Sequence, residues 1–101
     1  MDVTTRNFDS IVASSPKVLV EFRSQHVVHC MLQRSVVRKI EDQYRGRFKV
    51  ITVDVDDSPS IAVRYNVKDV PAFVVLAGGR VVGRADGLQT QSDLRILLGR
   101  G

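Results

Sequence analysis

Cysteine occurs once in this chain, as Cys30, and tryptophan is absent. A single thiol cannot close a disulfide within the chain, which excludes the disulfide-stapled class of small secreted scaffold and fits a reducing compartment. No apolar run approaches the ~20 residues that cross a bilayer. The first residues, Met1-Asp2-Val3-Thr4-Thr5, lack both the basic start and the apolar centre of a signal peptide. The expectation is a cytoplasmic protein with no membrane partner.

Histidine is nearly as scarce, limited to His26 and His29. With Cys30 they form a His-x-x-His-Cys string whose imidazoles and thiolate would suit zinc or copper. Neighbouring positions at a helix start cannot all face one ion, and His26 and Cys30 are the only pair at four-residue spacing. No metal and no other cofactor is therefore expected, and the two histidines are read as lining an exposed surface. A block of one charge sign is missing too: the 15 Lys and Arg are interspersed with 11 Asp and Glu, for a net charge of +4. The densest basic group, Arg34, Arg38, Lys39, Arg45, Arg47 and Lys49, falls on an amphipathic helix and the strand after it. It reads as a solvated helix face or a basic docking surface, without the clustering of a nucleic-acid footprint.

What is present suffices for one folded unit over residues 1–101, since 44% of the residues are apolar. Val18 to Phe22, entered from Ser15-Pro16, reads as a buried strand, as does Phe48 to Val55. Ala72 to Ala77, then Gly78-Gly79 and Arg80 to Arg84, has the pattern of a tight hairpin. Between the first two runs, Leu32, Val36, Ile40 and Tyr44 recur at helical spacing. Asn7 opens a short helix over Phe8 to Ala13, Ser58-Pro59 a second to about Tyr65, and Thr90 with Asp93 a final one through Leu94, Leu97 and Leu98. With an edge strand over Val3 to Thr5, helices and strands alternate until the closing hairpin. That order predicts an α/β fold with a central mixed sheet of four to five strands and helices on both faces.

These residues carry a family resemblance. Val18-Leu19-Val20-Glu21-Phe22, the following His26-Val27-Val28-His29-Cys30, Val70-Pro71 and the Gly78-Gly79 hairpin resemble a thioredoxin over nearly the whole chain. The resemblance implies the thioredoxin fold, with Val70–Pro71 as the cis-proline loop that lays an extended peptide along the site. It puts His26 at the family's tryptophan, Val27 at its nucleophilic cysteine, Val28 and His29 at its glycine and proline, and Cys30 at its resolving cysteine. It also puts Glu21 at the aspartate behind the resolving cysteine, and Thr52 where a lysine commonly accompanies that aspartate. Thioredoxin-like domains called chaperedoxins retain only the resolving cysteine, in a motif similar to Ser-Gln-His-Cys whose last two residues match His29-Cys30.

Valine cannot form the thiolate that attacks a disulfide, so the usual dithiol cycle within one chain is not expected. Cys30 then has three readings: a small buried apolar residue, a thiol that forms mixed disulfides with a partner or glutathione, or a catalytic nucleophile, for which no base is marked by a motif. Glu21 reads either as a proton acceptor for Cys30 or as a partly buried structural acid. Val27 and Val28, beside Val70, Pro71 and Ala72, form an apolar surface suited to an extended peptide. The leading expectation is a polypeptide-binding or chaperone-like protein, a monomer or weak dimer, with protein or peptide clients. The alternative is a weak monothiol oxidoreductase that uses an external thiol such as glutathione.

Overall fold

The computed structural model describes residues 1–99, in the order β1 (Asp2–Val3), α1 (Phe8–Ala13), β2 (Lys17–Arg23), α2 (Val28–Gln43), β3 (Lys49–Asp54), α3 (Pro59–Arg64), β4 (Ala72–Ala77), β5 (Arg80–Asp86) and α4 (Gln91–Gly99). This is the expected sequence of elements; the first strand lies one residue earlier than its apolar signal placed it. The strands form one sheet in the order β1-β3-β2-β4-β5. The crossovers through α1 and α2 leave β1, β3 and β2 parallel, whereas β4 runs antiparallel to β2 and hairpins into β5. Gly78 and Gly79 turn that hairpin with φ of +58° and +79°, a conformation costly for residues with a Cβ.

Strand alternation divides the core in two. Val18, Val20 and Phe22 of β2, with Ile51, Val53, Val74 and Leu76, face Phe8 and Val12 of α1 and Ile61 of α3. Leu19, Val50, Phe73 and Val75 point the other way, onto Val37 and Ile40 of α2 and Leu94, Leu97 and Leu98 of α4. Each such side chain contributes about 1.5–3 kcal/mol on full burial, so the two layers hold the sheet from both sides. Among the described residues no helix is long and apolar enough to cross a membrane.

Two local expectations are corrected. Leu32, in helical spacing with Val36 and Ile40, is 61% exposed, and its neighbour Gln33 is instead fully buried with Cys30, Val37 and Ile40. The gap under α2 faces the loop before α4, whose backbone needs a hydrogen-bonding partner there. Ser58 precedes α3 but does not cap it; its hydroxyl instead accepts a hydrogen bond from the Thr5 amide at 3.3 Å. At α4 the reciprocal cap is present: the Thr90 amide donates to Asp93 at 2.8 Å and the Asp93 amide to the Thr90 hydroxyl at 3.0 Å.

Candidate functional site

The expected site residues gather at the end of the sheet where β2 runs out into α2. Val27 is the N-cap of α2, extended at φ −113° and ψ 118°, and its carbonyl accepts from the Cys30 amide at 3.0 Å. That first turn sends Cys30 inward and leaves His26, Val28 and His29 exposed, with Val27 half-buried. On the neighbouring strand Ala72 pairs with Phe22, so the buried Pro71 and the half-buried Val70 flank the same end of β2. The Val70–Pro71 peptide bond is cis, as the resemblance implied. Both expected binding segments therefore lie at the same end of β2, with His26, Val28 and His29 exposed, Val27 and Val70 half-buried, and Pro71 and Ala72 buried like Glu21 and Cys30.

A polar network ties the loop down. The Ser24 amide donates to the Cys30 sulfur at 3.5 Å, and the Ser24 hydroxyl donates to Asp56 at 2.6 Å while accepting from the His26 amide at 3.2 Å. Ser24 is buried while Asp56 and His26 are exposed, so these contacts hold the approach to α2 from the core to the surface. On the opposite side, Gln33 makes two hydrogen bonds to one residue: its Nε2 donates to the Gln89 carbonyl and its Oε1 accepts from the Gln89 amide, both at 2.8 Å. Gln89 closes its own turn through Asp86 and Gly87, and the Gly87 amide donates to the Pro71 carbonyl at 2.8 Å. Helix α2, the loop before α4 and the proline loop are thus joined by continuous hydrogen bonding.

Electrostatics at the site favour neutral groups. Burial pushes the Cys30 thiol above its ordinary value, against the favourable Ser24 amide, and the charge of Glu21 pushes it further. Burial likewise holds the Glu21 carboxyl above the usual carboxylate range, with the Thr52 hydroxyl and Arg23 acting the other way. Thr52 sits opposite Glu21 on β3 and donates to its Oε1 at 3.2 Å, while Oε2 has no partner among the described residues. No hydrogen bond joins Glu21 to Cys30 among the described residues. Burial thus disfavours the charged form of both groups, and a thiol held from ionising is a poor nucleophile. A cleft of about 420 Å³ opens on the β1 side of α2, lined by Arg23, Gln25, Met31, Arg34, Thr52 and Asp54 among others. Among the described residues no three His, Cys, Asp or Glu side chains converge on a metal position.

A buried sulfur at the start of α2, a cis-proline strand beside it and the five-strand order match known proteins. The family model described as thioredoxin matches residues 1–99. The chain belongs to the thioredoxin family. It is 31% identical over 87 residues to a thioredoxin of Chlorobaculum thiosulfatiphilum, covering 85% of this chain and 81% of that one. It is 30% identical over 89 residues to a thioredoxin-like protein of Synechocystis, covering 87% and 85%. Its structure matches a mutant thioredoxin from Halobacterium salinarum with a TM-score of 0.88, at 26% identity, over 97% of this chain and 86% of that one. Family and fold are those of thiol–disulfide oxidoreductases. Sequence reasoning missed Ser24, Gln33 and Gln89 in this thioredoxin-family site. Their signals were faint, because a lone serine or glutamine carries no motif and their partners are far away in the chain.

Proposed function

We propose that this member of the thioredoxin family is a polypeptide-binding domain whose own dithiol chemistry is lost. The observation that carries the reading is the pairing of a fully buried Cys30 with Val27 at the α2 N-cap. Taken as the family's nucleophile position, Val27 presents an apolar surface where a thiolate would have to attack. An extended peptide would lie along exposed Val28 and half-buried Val27 and Val70, in a groove that lacks the nucleophile to turn it over. Unfolded protein or peptide segments are the ligands, held in a chaperone-like way. The cytoplasm suits a chain with one thiol and no disulfide. Mixed disulfides through Cys30, with a client or with glutathione, require the first turn of α2 to open.

The test has two arms. Insulin-disulfide reduction with thioredoxin reductase as the electron source should be absent, with or without glutathione. Val27→Cys should form an intramolecular disulfide on oxidation, because the helix start that would carry the pair is intact. In the binding arm, reduced and carboxamidomethylated α-lactalbumin should bind, and Val70→Asp should weaken it by about tenfold. Reductase activity of the unsubstituted chain, or binding indifferent to Val70→Asp, would overturn the reading. Turnover that appears only with glutathione would favour a monothiol oxidoreductase instead.

A further inference from the structure

The outward face of α2 breaks the rule that its inward face obeys. Val28, Met31 and Leu32 are 68%, 60% and 61% exposed, and their spacing of three and four residues sets them side by side. Gln33, the residue that a simple amphipathic helix would turn outward, is buried instead. The same outward stripe continues through exposed Ser35 to Arg38 and Lys39, with Arg34 alongside. Among the described residues none of these three cations forms an ion pair, whereas the acids farther along α2 are engaged: Glu41 by the chain's amino terminus and Asp42 by Arg45. One helix face therefore offers three apolar side chains next to the cations Arg38 and Lys39, while Arg34 lines the cleft it shares with Asp2, Asp54 and Asp57. Val28 belongs both to this stripe and to the rim of the groove.

We infer that the outward face of α2 is a docking surface that extends the groove and selects polypeptides in which acidic residues lie next to apolar ones. The inference rests on the polypeptide-binding reading and names the class of client. Apolar client side chains would cover Val28, Met31 and Leu32, removing them from water, while client carboxylates meet Arg38 and Lys39. Complementary charge of this kind raises the association rate and rejects basic chains, which a purely apolar groove could not do. It also gives the basic group on this helix a role beyond solvation.

The experiment compares two permanently unfolded probes, reduced and carboxamidomethylated α-lactalbumin, which is acidic, and the same form of lysozyme, which is basic. The full chain should bind the acidic probe about tenfold more tightly at low salt, with the difference shrinking as salt is added. Arg38→Glu with Lys39→Glu should abolish or reverse that preference. Met31→Ser with Leu32→Ser should weaken both probes severalfold, and all four positions are exposed, so folding is spared. Equal affinity for the two probes would overturn the inference, as would tighter binding of a single-stranded DNA oligonucleotide than of either probe. If Val70→Asp weakens binding and the α2 variants do not, only the docking face is wrong. If the α2 variants act and Val70→Asp does not, the groove is wrong and the face stands. Failure of the unsubstituted chain to bind either probe would overturn both.

Discussion

Glu21→Gln should stabilise the protein at neutral pH and leave it nearly unchanged in mild acid. Glu21 is 3% exposed on β2, one of its oxygens accepts from Thr52, and the other has no partner among the described residues. Ionisation in that position places a charge where water cannot reach it, so burial raises the carboxyl pKa in the folded state. A raised folded value means that the native state holds its proton to higher pH than the unfolded chain does. Stability from this group is fully present below the unfolded carboxyl value and is lost as pH rises through the folded one. Glutamine keeps the shape and the acceptor for Thr52 and cannot ionise, so it removes the loss. Oε2 when ionised is an unpartnered buried charge, which costs more than the ~1–3 kcal/mol of a neutral orphan such as the glutamine Nε2, so the variant should gain about 2 kcal/mol at pH 8. That gain corresponds to roughly 8–16 °C in Tm for a domain of this size. Urea melts followed by far-UV circular dichroism between pH 5 and 8 measure it, since the chain has no tryptophan to report on unfolding. Identical pH slopes for the two proteins, or a variant less stable at pH 8 than at pH 5 relative to the parent, would refute the reasoning.

Native Cys30 should react with iodoacetamide at least about a hundredfold more slowly than in urea, because the sulfur is buried and burial keeps the thiol protonated; rapid labelling of the folded chain would contradict this. Gln33→Leu should cost about 2–4 kcal/mol in urea melts, since it removes two hydrogen bonds and leaves both backbone groups of Gln89 without their side-chain partner. The neighbouring Leu32→Gln should change stability by no more than about 0.5 kcal/mol, and a reversed order of these two costs would mean that α2 is rotated from the orientation described. Gly87→Ala should cost about 1–2 kcal/mol by the same melts, wholly from its φ of +84°, because an added Cβ meets nothing within 4 Å.

The element order was legible because its signals are local. A β-branched run such as Val18 to Phe22, the glycine pair of the hairpin, and Thr90 with Asp93 each specify their own segment within a few residues. The motif region was legible for a different reason: the resemblance related His26 to Cys30 and Val70 to Ala72 to one family site, and the pairing of Ala72 with Phe22 sets both segments at the same end of β2. Helical periodicity on α2, by contrast, fits two adjacent stripes almost equally well. Leu32 and Gln33 exchange places between them, and hydrophobicity alone prefers the wrong one.

From the sequence alone came the alternation of strands and helices, the mixed sheet, the loss of any internal disulfide and the residues at the start of α2. Only the tertiary structure decided which side of α2 faces the sheet, that Cys30 is closed off behind the first helical turn, and that Glu21 has a single hydrogen-bond partner among the described residues. The physical reason is range: Gln33 is turned inward by backbone groups of Gln89, 56 residues away, and Glu21 is matched to Thr52 across 31 residues by strand register. Such pairings exist only once the sheet has assembled, so no local pattern of residue types can report them.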